Sequence, residues 1–495
     1  MSEPILAGLV ALATPQAVLF MCIGVSYGLL IGILPGLGGI VALSLLLPFT
    51  YGHELAATLS LLLGAHIATI WGGSVTSILF KVPGAAKSLA LVFDGHPMAQ
   101  QGQASRALGA SATAALLGGL VGAIFLAFSI PIVRPVMLAL GPSEYLMMAL
   151  WGLTIIATFS DGSLWKGLIA TTLGLMIAFI GMDPVSGTPR FWFGSVYLLD
   201  GISFPVAMIG LFAVAEMMKL YVKGGTIADR IASEERSSVL DGVKDAFSHW
   251  WLVCRSSLLG LWIGVLPGVG ASVGGLAAYA QAAQTSKTPE RFGKGAVEGV
   301  IAPDATLGAN EGGGLMPTLA FGIPGGESMA ILLVAFLSMG IVPGPQMLIG
   351  ELDLVFSMVW IIVIANLLTT LVGLVISSRL ARLPALSPNI LIPLVLSVCF
   401  FGAFATRGLV IDVIVAGIFG ALGYLMAKHE YSRANLVIAM VLAEMIERNL
   451  HISLGLYGNN FIFTRPITLV MFIFIAITTA LPFYRRYRTN QDANS

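Results

Sequence analysis

The sequence predicts an all-α polytopic membrane protein with two related halves, discontinuous helices and re-entrant hairpins. Of its 495 residues, 57% are hydrophobic and only 10% are charged, whereas a soluble domain carries roughly a quarter charged residues. The apolar runs have the length of membrane-spanning helices. At about 20 residues per crossing they predict roughly 12 transmembrane segments, besides interrupted half-spans.

Two glycine-rich phrases in the first half of the chain return in the second half. The phrase around Gly32, Pro35, Gly36 and Gly38 recurs 232 positions later around Gly264, Pro267, Gly268 and Gly270. The phrase 72–84, which ends on Pro83 and Gly84, is echoed by 312–325, which ends on Pro324 and Gly325. Pro-Gly breaks at matching places inside apolar segments are typical of secondary transporters.

These breaks indicate where a binding site would lie. Proline removes a backbone donor and glycine lets the chain turn, and in hydrocarbon such a break survives only where it lines a cavity or packs in protein. A single Pro-Gly pair also fits a plain turn between helices, but matched pairs favour a site. We expect the two halves to be inverted, as in other transporters, although hydropathy does not fix the number of crossings between Pro35 and Pro267.

The domain organisation follows the one strongly polar stretch. We predict a first membrane repeat at 1–222, a polar linker at 223–249, a second repeat with extra C-terminal helices at 250–484 and a basic tail at 485–495. The linker is expected to contain a short amphipathic helix, and its basic residues place it on the cytoplasmic side by the positive-inside rule. We expect no cleaved signal peptide, because residues 1–4 contain no basic residue and a signal peptide begins with a basic region.

The breaks could hold an anion and a cation without dedicated charged side chains. A helix that restarts after a break presents unpaired N–H groups to an anion, whereas carbonyls at the opposite end suit Na⁺. The predicted substrate-binding residues are Gly36, Gly38, Ser74, Thr76, Pro83, Gly84, Gly268, Gly270, Ser272, Thr318, Pro324, Gly325 and Ser328. Carbonyls near Gly36 and Gly268 are the predicted Na⁺ ligands, and no other metal or cofactor is expected. Hydrogen bonding within or between helices is the alternative role for the hydroxyl groups.

Four charged residues beside the breaks are candidates for charge coupling. Charges inside a membrane are costly and therefore informative. Lys87 could bind an anion, and Asp304, Glu311 and Glu327 could bind a cation or carry protons. A position at the water interface is the alternative, while His66 and the pair Arg407–Asp412 are expected to be structural.

The sequence argues against several other functions. A net charge of zero offers no basic field for nucleic acid. Walker A and zinc-protease motifs are missing from the sequence. The residues 270–274 fit the G-x-S-x-G pattern around Ser272, which leaves an intramembrane serine hydrolase as a rival, but with 58 glycines a chance match is expected. A channel is a further rival.

Several ordered motifs resemble one known family. They lie at 28–39, 72–84, 94–102, 264–270, 298–304, 317–325 and 340–345. Together they resemble the TctA-type large membrane subunit of tripartite tricarboxylate transporters. This resemblance implies a non-enzymatic importer of organic carboxylates in the bacterial inner membrane, driven by symport of Na⁺ or H⁺. It also implies two partners, a small four-helix membrane subunit and a periplasmic substrate-binding protein, and is compatible with an elevator-like movement.

The chain departs from the family pattern around the expected pocket. Leu307 and Gly308 stand where the family usually has asparagines, and Glu311 stands where small residues are usual. Lys87 and Glu327 follow the Pro-Gly breaks, where small or neutral residues dominate. These departures predict a different or smaller carboxylate than citrate, with a non-carboxylate solute as the alternative.

Overall fold

The computed structural model describes residues 2–34, 37–159, 164–223, 237–267, 270–380 and 388–492, which are almost entirely helical. The helices of the first half are α1 (Ser2–Ala11), α2 (Pro15–Gly32), α3 (Gly38–Leu46), α4 (Leu55–Phe80), α5 (Leu91–Gln100), α6 (Ala104–Ala139), α7 (Pro142–Phe159), α8 (Leu164–Ala178), α9 (Val196–Leu199), α10 (Phe204–Met208) and α11 (Ala215–Lys223). Those of the second half are α12 (Val239–Ser248), α13 (Trp250–Val265), α14 (Gly270–Thr285), α15 (Glu298–Phe321), α16 (Glu327–Ser338), α17 (Pro345–Gly350), α18 (Leu352–Leu380), α19 (Pro388–Arg407), α20 (Val410–Lys428), α21 (Arg433–Tyr457), α22 (Phe461–Thr464) and α23 (Pro466–Asp492).

Short elements complete the described chain. Four 3₁₀ turns lie at Leu47–Thr50, Ala86–Ser88, Pro289–Arg291 and Gly458–Asn460. A π-helical turn, Ile209–Val214, joins α10 to α11 without a break. Two strands of two residues each, β1 (Gly181–Met182) and β2 (Pro189–Arg190), pair antiparallel after α8.

Seven helices in the described residues are long and apolar enough to cross a membrane. They are α2, α4, α6, the continuous α10–α11 segment, α18, α19 and α20. The segments Arg433–Thr464 and Pro466–Thr479, bent by 66° at their junction, raise the number to eight if they form one span. Shorter apolar helices include α8, α13 and α16. The helical fold class is therefore confirmed, whereas a count of roughly 12 spans is not.

Two helix pairs pack closely through glycine. A Cβ atom at Gly32 of α2 would lie 2.9 Å from Gly72 Cα of α4, and one at Gly264 of α13 would lie 2.8 Å from Gly314 N of α15. Such separations are shorter than real Cβ contacts, so only glycine lets these backbones approach. In both pairs, a glycine of the first repeated phrase thus packs against a glycine of the second repeated phrase.

Part of the predicted linker lies against the helical body. Residues 224–236 fall outside the described part, but α12 packs along α6, where the Arg106 Nε donates to Asp245 Oδ2 at 2.6 Å. Ser238 begins α12 by accepting a hydrogen bond from the Leu240 N–H. The amphipathic helix expected in the linker is therefore present.

Candidate functional site

A cavity of about 490 Å³ lies between the turn at Pro83-Gly84 and the turn at Gly325-Gly326. Its lining includes Leu37, Gly38, Gly39, Ile40, Val41, His66, Pro83, Gly84, Ala85, Ala86, Lys87, Ile156, Phe212, Glu216, Lys219, Ala271, Asn310, Glu311, Gly314, Gly325, Gly326, Glu327, Ser328, Met329, Ser432, Arg433, Ala434, Asn435 and Ile438. Among the predicted site residues, the structure brings together Gly38, Pro83, Gly84, Gly325, Ser328, Lys87, Glu311 and Glu327. The volume is of the size that small-molecule sites have, about 300–1,000 Å³.

Three helix N-termini border this cavity. Helix α3 starts at Gly38, α14 starts beside Ala271, and α16 starts beside Ser328. The first N–H groups of a helix have no partner within it, and the helix dipole favours negative charge there. The cavity therefore offers backbone donors to an anion.

The two turns that enter the cavity are held close to their own helices. A Cβ at Gly84 would lie 2.5 Å from Gly73 Cα, and one at Gly325 would lie 2.6 Å from Gly314 Cα. A hydrogen bond also holds the second turn against α15, since the Gly325 N–H donates to Thr318 Oγ1 at 3.3 Å. Close backbone approach therefore requires glycine at both positions.

A chain of three ionisable side chains crosses one wall of the cavity. Glu311 Oε2 lies 2.5 Å from His66 Nε2, and Glu311 Oε1 lies 3.6 Å from Lys87 Nζ. The side chains of His66 and Glu311 are 1% and 5% exposed, whereas that of Lys87 is 15% exposed. His66, which we expected to be structural, is buried and contacts Glu311.

The cavity lining also contains charged residues that the motif analysis did not single out. Glu216 lies 3.1 Å from Lys219 Nζ and 3.6 Å from Arg433 Nη2. The Arg433 guanidinium also stacks over the Phe212 ring at 5.3 Å. Phe212 belongs to the π-helical turn, Glu216 and Lys219 belong to α11, and Arg433 begins α21. These segments carry no Pro-Gly break, so the repeated phrase gave no signal for them.

Several predicted residues lie outside the cavity lining. Ser74 Oγ donates to Asp304 Oδ1 at 2.7 Å in a fully buried contact. The hydroxyls of Thr76 and Thr318 donate to carbonyls of their own helices, at Gly73 and Gly314. In membrane helices a hydroxyl commonly bonds to a carbonyl of its own helix in this way. Of the three hydroxyls, that of Ser74 joins two helices, α4 and α15.

The predicted Na⁺ ligands cannot be placed. Gly36 and Gly268 lie outside the described residues, as does the side chain of Ser272. Gly270 begins α14, and Pro324 directly precedes the lining residue Gly325. The described parts of the chain contain no group of three metal-ligating side chains. The serine motif at 270–274 forms the start of α14 and follows α13. In the described residues it is therefore not preceded by the strand that a nucleophile elbow requires.

Comparison with known protein families shows the family to which the chain belongs. Residues 18–438 match the model of the family described as "Tripartite tricarboxylate transporter TctA family". The chain belongs to the TctA family. Together with the apolar helices, this membership makes it a multi-pass membrane protein and a membrane subunit of the tripartite tricarboxylate transporter type, which works with partner subunits.

Two relatives of the chain come from Agrobacterium vitis. One, an uncharacterised 52.8 kDa protein of the TAR-I ttuC' 3' region, is 30% identical over 447 residues, covering 88% of this chain and 87% of the relative. The other, an uncharacterised protein of the TAR-II ttuC' 3' region, is 29% identical over 188 residues, covering 38% of this chain and 78% of the relative. No solved structure matches this TctA family chain.

Proposed function

We propose that this chain is the large membrane subunit of a binding-protein-dependent secondary transporter that imports an organic carboxylate together with Na⁺ or H⁺. The observation that carries the proposal is the cavity between Pro83-Gly84 and Gly325-Gly326, bordered by the N-termini of α3, α14 and α16. A substrate carboxylate would bind these backbone N–H groups, as anions do at helix N-termini.

The matched glycine contacts support two related halves. Gly84 packs on Gly73 and Gly325 packs on Gly314, each turn being held against the helix before it. In transporters built this way, substrate sites lie at the interface between the repeats, and one half moves against the other to give alternating access. An elevator-like movement of the two turns is our proposal for that step, with the repeats inverted.

The family supports our proposals for the partners and the compartment. We propose a small four-helix membrane subunit and a periplasmic substrate-binding protein as the partners, and the bacterial inner membrane as the location. Coupling to a cation is proposed at carbonyls near the breaks at Gly36 and Gly268, since broken helix ends suit Na⁺. We propose no enzymatic activity and no further cofactor.

Reconstituted uptake tests this function directly. Proteoliposomes would contain the chain and its small partner, and labelled carboxylates would be supplied with and without an imposed Na⁺ or H⁺ gradient, with the binding protein as a variable. Gradient-dependent uptake that requires the binding protein is expected. Flux that ignores an opposing gradient would favour a channel, and a lack of uptake of every carboxylate with all components folded would refute the proposal.

Gly326 offers the sharpest test of the site. Its backbone is extended, with φ −173°, and a Cβ added there meets no atom within 4 Å. Gly326→Leu should therefore fill the cavity without disturbing the fold and abolish uptake. Gly325 is the poorer target, because any side chain there collides with the backbone of Gly314.

A matched control distinguishes a blocked cavity from general damage to the protein. A Cβ at Gly455 on α21 also meets no atom within 4 Å, and the residue does not line the cavity. Gly455→Leu should leave uptake unchanged. Normal uptake by Gly326→Leu protein that is folded in the membrane would mean that the substrate does not pass this cavity.

A further inference from the structure

Asp304 is a fully buried carboxyl group with a single hydrogen bond. It lies on α15 with 0% of its surface exposed, and its Oδ1 accepts from Ser74 Oγ of α4 at 2.7 Å. The Ser111 hydroxyl of α6 lies near the same carboxyl group. In the described residues, however, neither Asp304 Oδ2 nor Ser111 Oγ has a hydrogen-bond partner. Three helices thus enclose a carboxyl group of which only one oxygen is satisfied.

Asp304 forms no ion pair in the described part of the chain. The titratable groups on the elements packed against α15 either have partners elsewhere or do not bind it. Those with other partners are His66 and Lys87 with Glu311, Asp94 with Tyr279, His96 with the Ile78 carbonyl, and Arg106 with Asp245. Those that form no hydrogen bond or ion pair with Asp304 are Arg134, Cys254, Arg255, Glu327, Asp353 and Arg379.

A buried carboxyl group without a counter-charge is expected to be a neutral acid. Moving an isolated carboxylate out of water is so costly that the group takes up a proton instead. As an acid, Asp304 keeps the hydrogen bond from Ser74 at Oδ1 and carries its proton on Oδ2. The described residues contain no group of three metal-ligating side chains, so the site fits a proton better than a metal ion. Glu144 is a contrasting case, because it is also 0% exposed but lies 3.1 Å from Arg465 Nε.

The helix contact that holds Asp304 leads to the cavity. Glu311, which lines the cavity, follows Asp304 by seven positions. Both residues therefore lie on one side of α15, about 10 Å apart along the helix. Both also contact α4, where Ser74 binds Asp304 and His66 binds Glu311. The contact between α4 and α15, which joins the two halves of the chain, is thus polar at the cavity and two turns away from it.

We propose that Asp304 is a proton-binding site and carries a coupling proton during transport. This inference rests on the proposed function and names H⁺ as a coupling ion. In the conformation described here, the proton is enclosed between α4, α6 and α15. It binds from the outer solution and leaves towards the cytoplasm in conformations that admit water from the cavity along the contact between α4 and α15.

Infrared spectra of the full chain in lipid nanodiscs at neutral pH test the protonation directly. A neutral acid has a C=O stretching band that a carboxylate lacks, so this band should be lost in Asp304→Asn. Ser74→Ala removes the hydrogen bond to Oδ1 and should move the band to higher frequency, which keeps the test open if Asp304→Asn does not fold. Glu144→Gln removes a buried carboxylate that has a counter-charge and should leave the acid band in place.

Transport by the reconstituted system, with the small partner and the binding protein present, tests the coupling. Asp304→Asn imitates the neutral acid but cannot release a proton. It should therefore lose the carboxylate accumulation that an imposed H⁺ gradient drives, whereas exchange of carboxylate across the membrane without any gradient should fall far less. Glu430→Gln, at an ion pair with Lys166 outside the cavity lining, should keep both activities.

The outcomes distinguish this inference from the function on which it rests. If neither Asp304→Asn nor Ser74→Ala alters an acid band, Asp304 is ionised and the inference fails. It also fails if Asp304→Asn accumulates carboxylate with an H⁺ gradient as wild type does, or if only Na⁺-driven accumulation is lost. In these cases carboxylate transport by the wild-type chain stands. If the wild-type chain takes up no carboxylate under either gradient, the proposed function itself fails.

Discussion

Lys81 and Gly322 end two long buried helices in the same left-handed conformation. Lys81 follows α4 with φ 55° and ψ 20°, and Gly322 follows α15 with φ 66° and ψ 20°. Two residues after each of them comes the proline of a Pro-Gly turn that enters the cavity. The left-handed conformation is favourable for glycine, whereas other residues pay roughly 1–2 kcal/mol, so the two helix ends are equal in geometry but not in energy.

Replacing Lys81 by glycine should therefore stabilise the protein. Lys81 is exposed, so little packing is lost, and relief of the left-handed conformation outweighs the added entropy of the unfolded chain by up to about 1 kcal/mol. Gly322→Ala should lower stability by about 1 kcal/mol. SDS titration of protein in mixed micelles measures both changes. A Lys81→Gly protein that unfolds earlier than wild type would contradict the argument.

The repeated phrase allowed part of the cavity lining to be found from the sequence. A Pro-Gly break is a local signal, because the two residues together remove a donor and permit a turn wherever they stand. Pro83, Gly84 and Gly325 therefore mark the cavity although they are far apart in the chain. Glu311 could be singled out because a charge within an apolar helix is rare.

The charged cluster of Glu216, Lys219 and Arg433 in the cavity lining could not be found from the sequence. Glu216 and Arg433 are separated by more than two hundred positions, and only the fold brings their side chains to within 3.6 Å of each other. Their local sequence resembles any helix end at a water interface. The sequence also leaves open whether the Ser74 hydroxyl faces a solute or another helix, and only the structure shows that it donates to Asp304.

Alanine at either Gly28 or Gly260 should destabilise the fold. A Cβ at Gly28 would overlap the Ala65 carbonyl oxygen, and one at Gly260 would overlap the Thr306 carbonyl oxygen. Since backbone has to move in both cases, each substitution should cost about 1–3 kcal/mol. Thermal unfolding in detergent measures the loss.

Gly417 is the control for these two substitutions. It lies within α20, and a Cβ there meets no atom within 4 Å. Gly417→Ala should be neutral or stabilise by up to about 1 kcal/mol through helix propensity. If all three alanine variants behaved alike, close helix approach at Gly28 and Gly260 would not be what stabilises these pairs.

The ion pair between Arg407 and Asp412 should matter for stability through its burial. Asp412 is fully buried, accepts from Arg407 Nη2 at 2.5 Å and also accepts from the Tyr197 hydroxyl at 2.6 Å. Asp412→Asn leaves the guanidinium without its counter-charge and should cost about 3 kcal/mol. The double variant Arg407→Met/Asp412→Leu should recover much of that loss in SDS titration. A double variant less stable than Asp412→Asn would show that the charges stabilise the fold in their own right.

Asp183 gives the protein a stability contribution that depends on pH. It lies in the turn between β1 and β2, outside the candidate spans, where Oδ1 accepts from the Ser186 and Val185 N–H groups at 2.8 Å each. These hydrogen bonds, chiefly that of Ser186, lower the pKa of Asp183 below its usual 3.8, and Arg190 contributes further. Because the pKa is lower in the folded state, the stabilisation is complete above the unfolded pKa and is lost as pH falls through the folded one. Asp183→Asn should therefore lower the unfolding temperature at pH 7, and its difference from wild type should shrink towards pH 3.

Asp200→Asn, at an exposed position nearby, is the control and should leave the unfolding temperature at pH 7 unchanged. If the difference between Asp183→Asn and wild type stayed constant from pH 7 to pH 3, ionisation of Asp183 would be excluded as its cause.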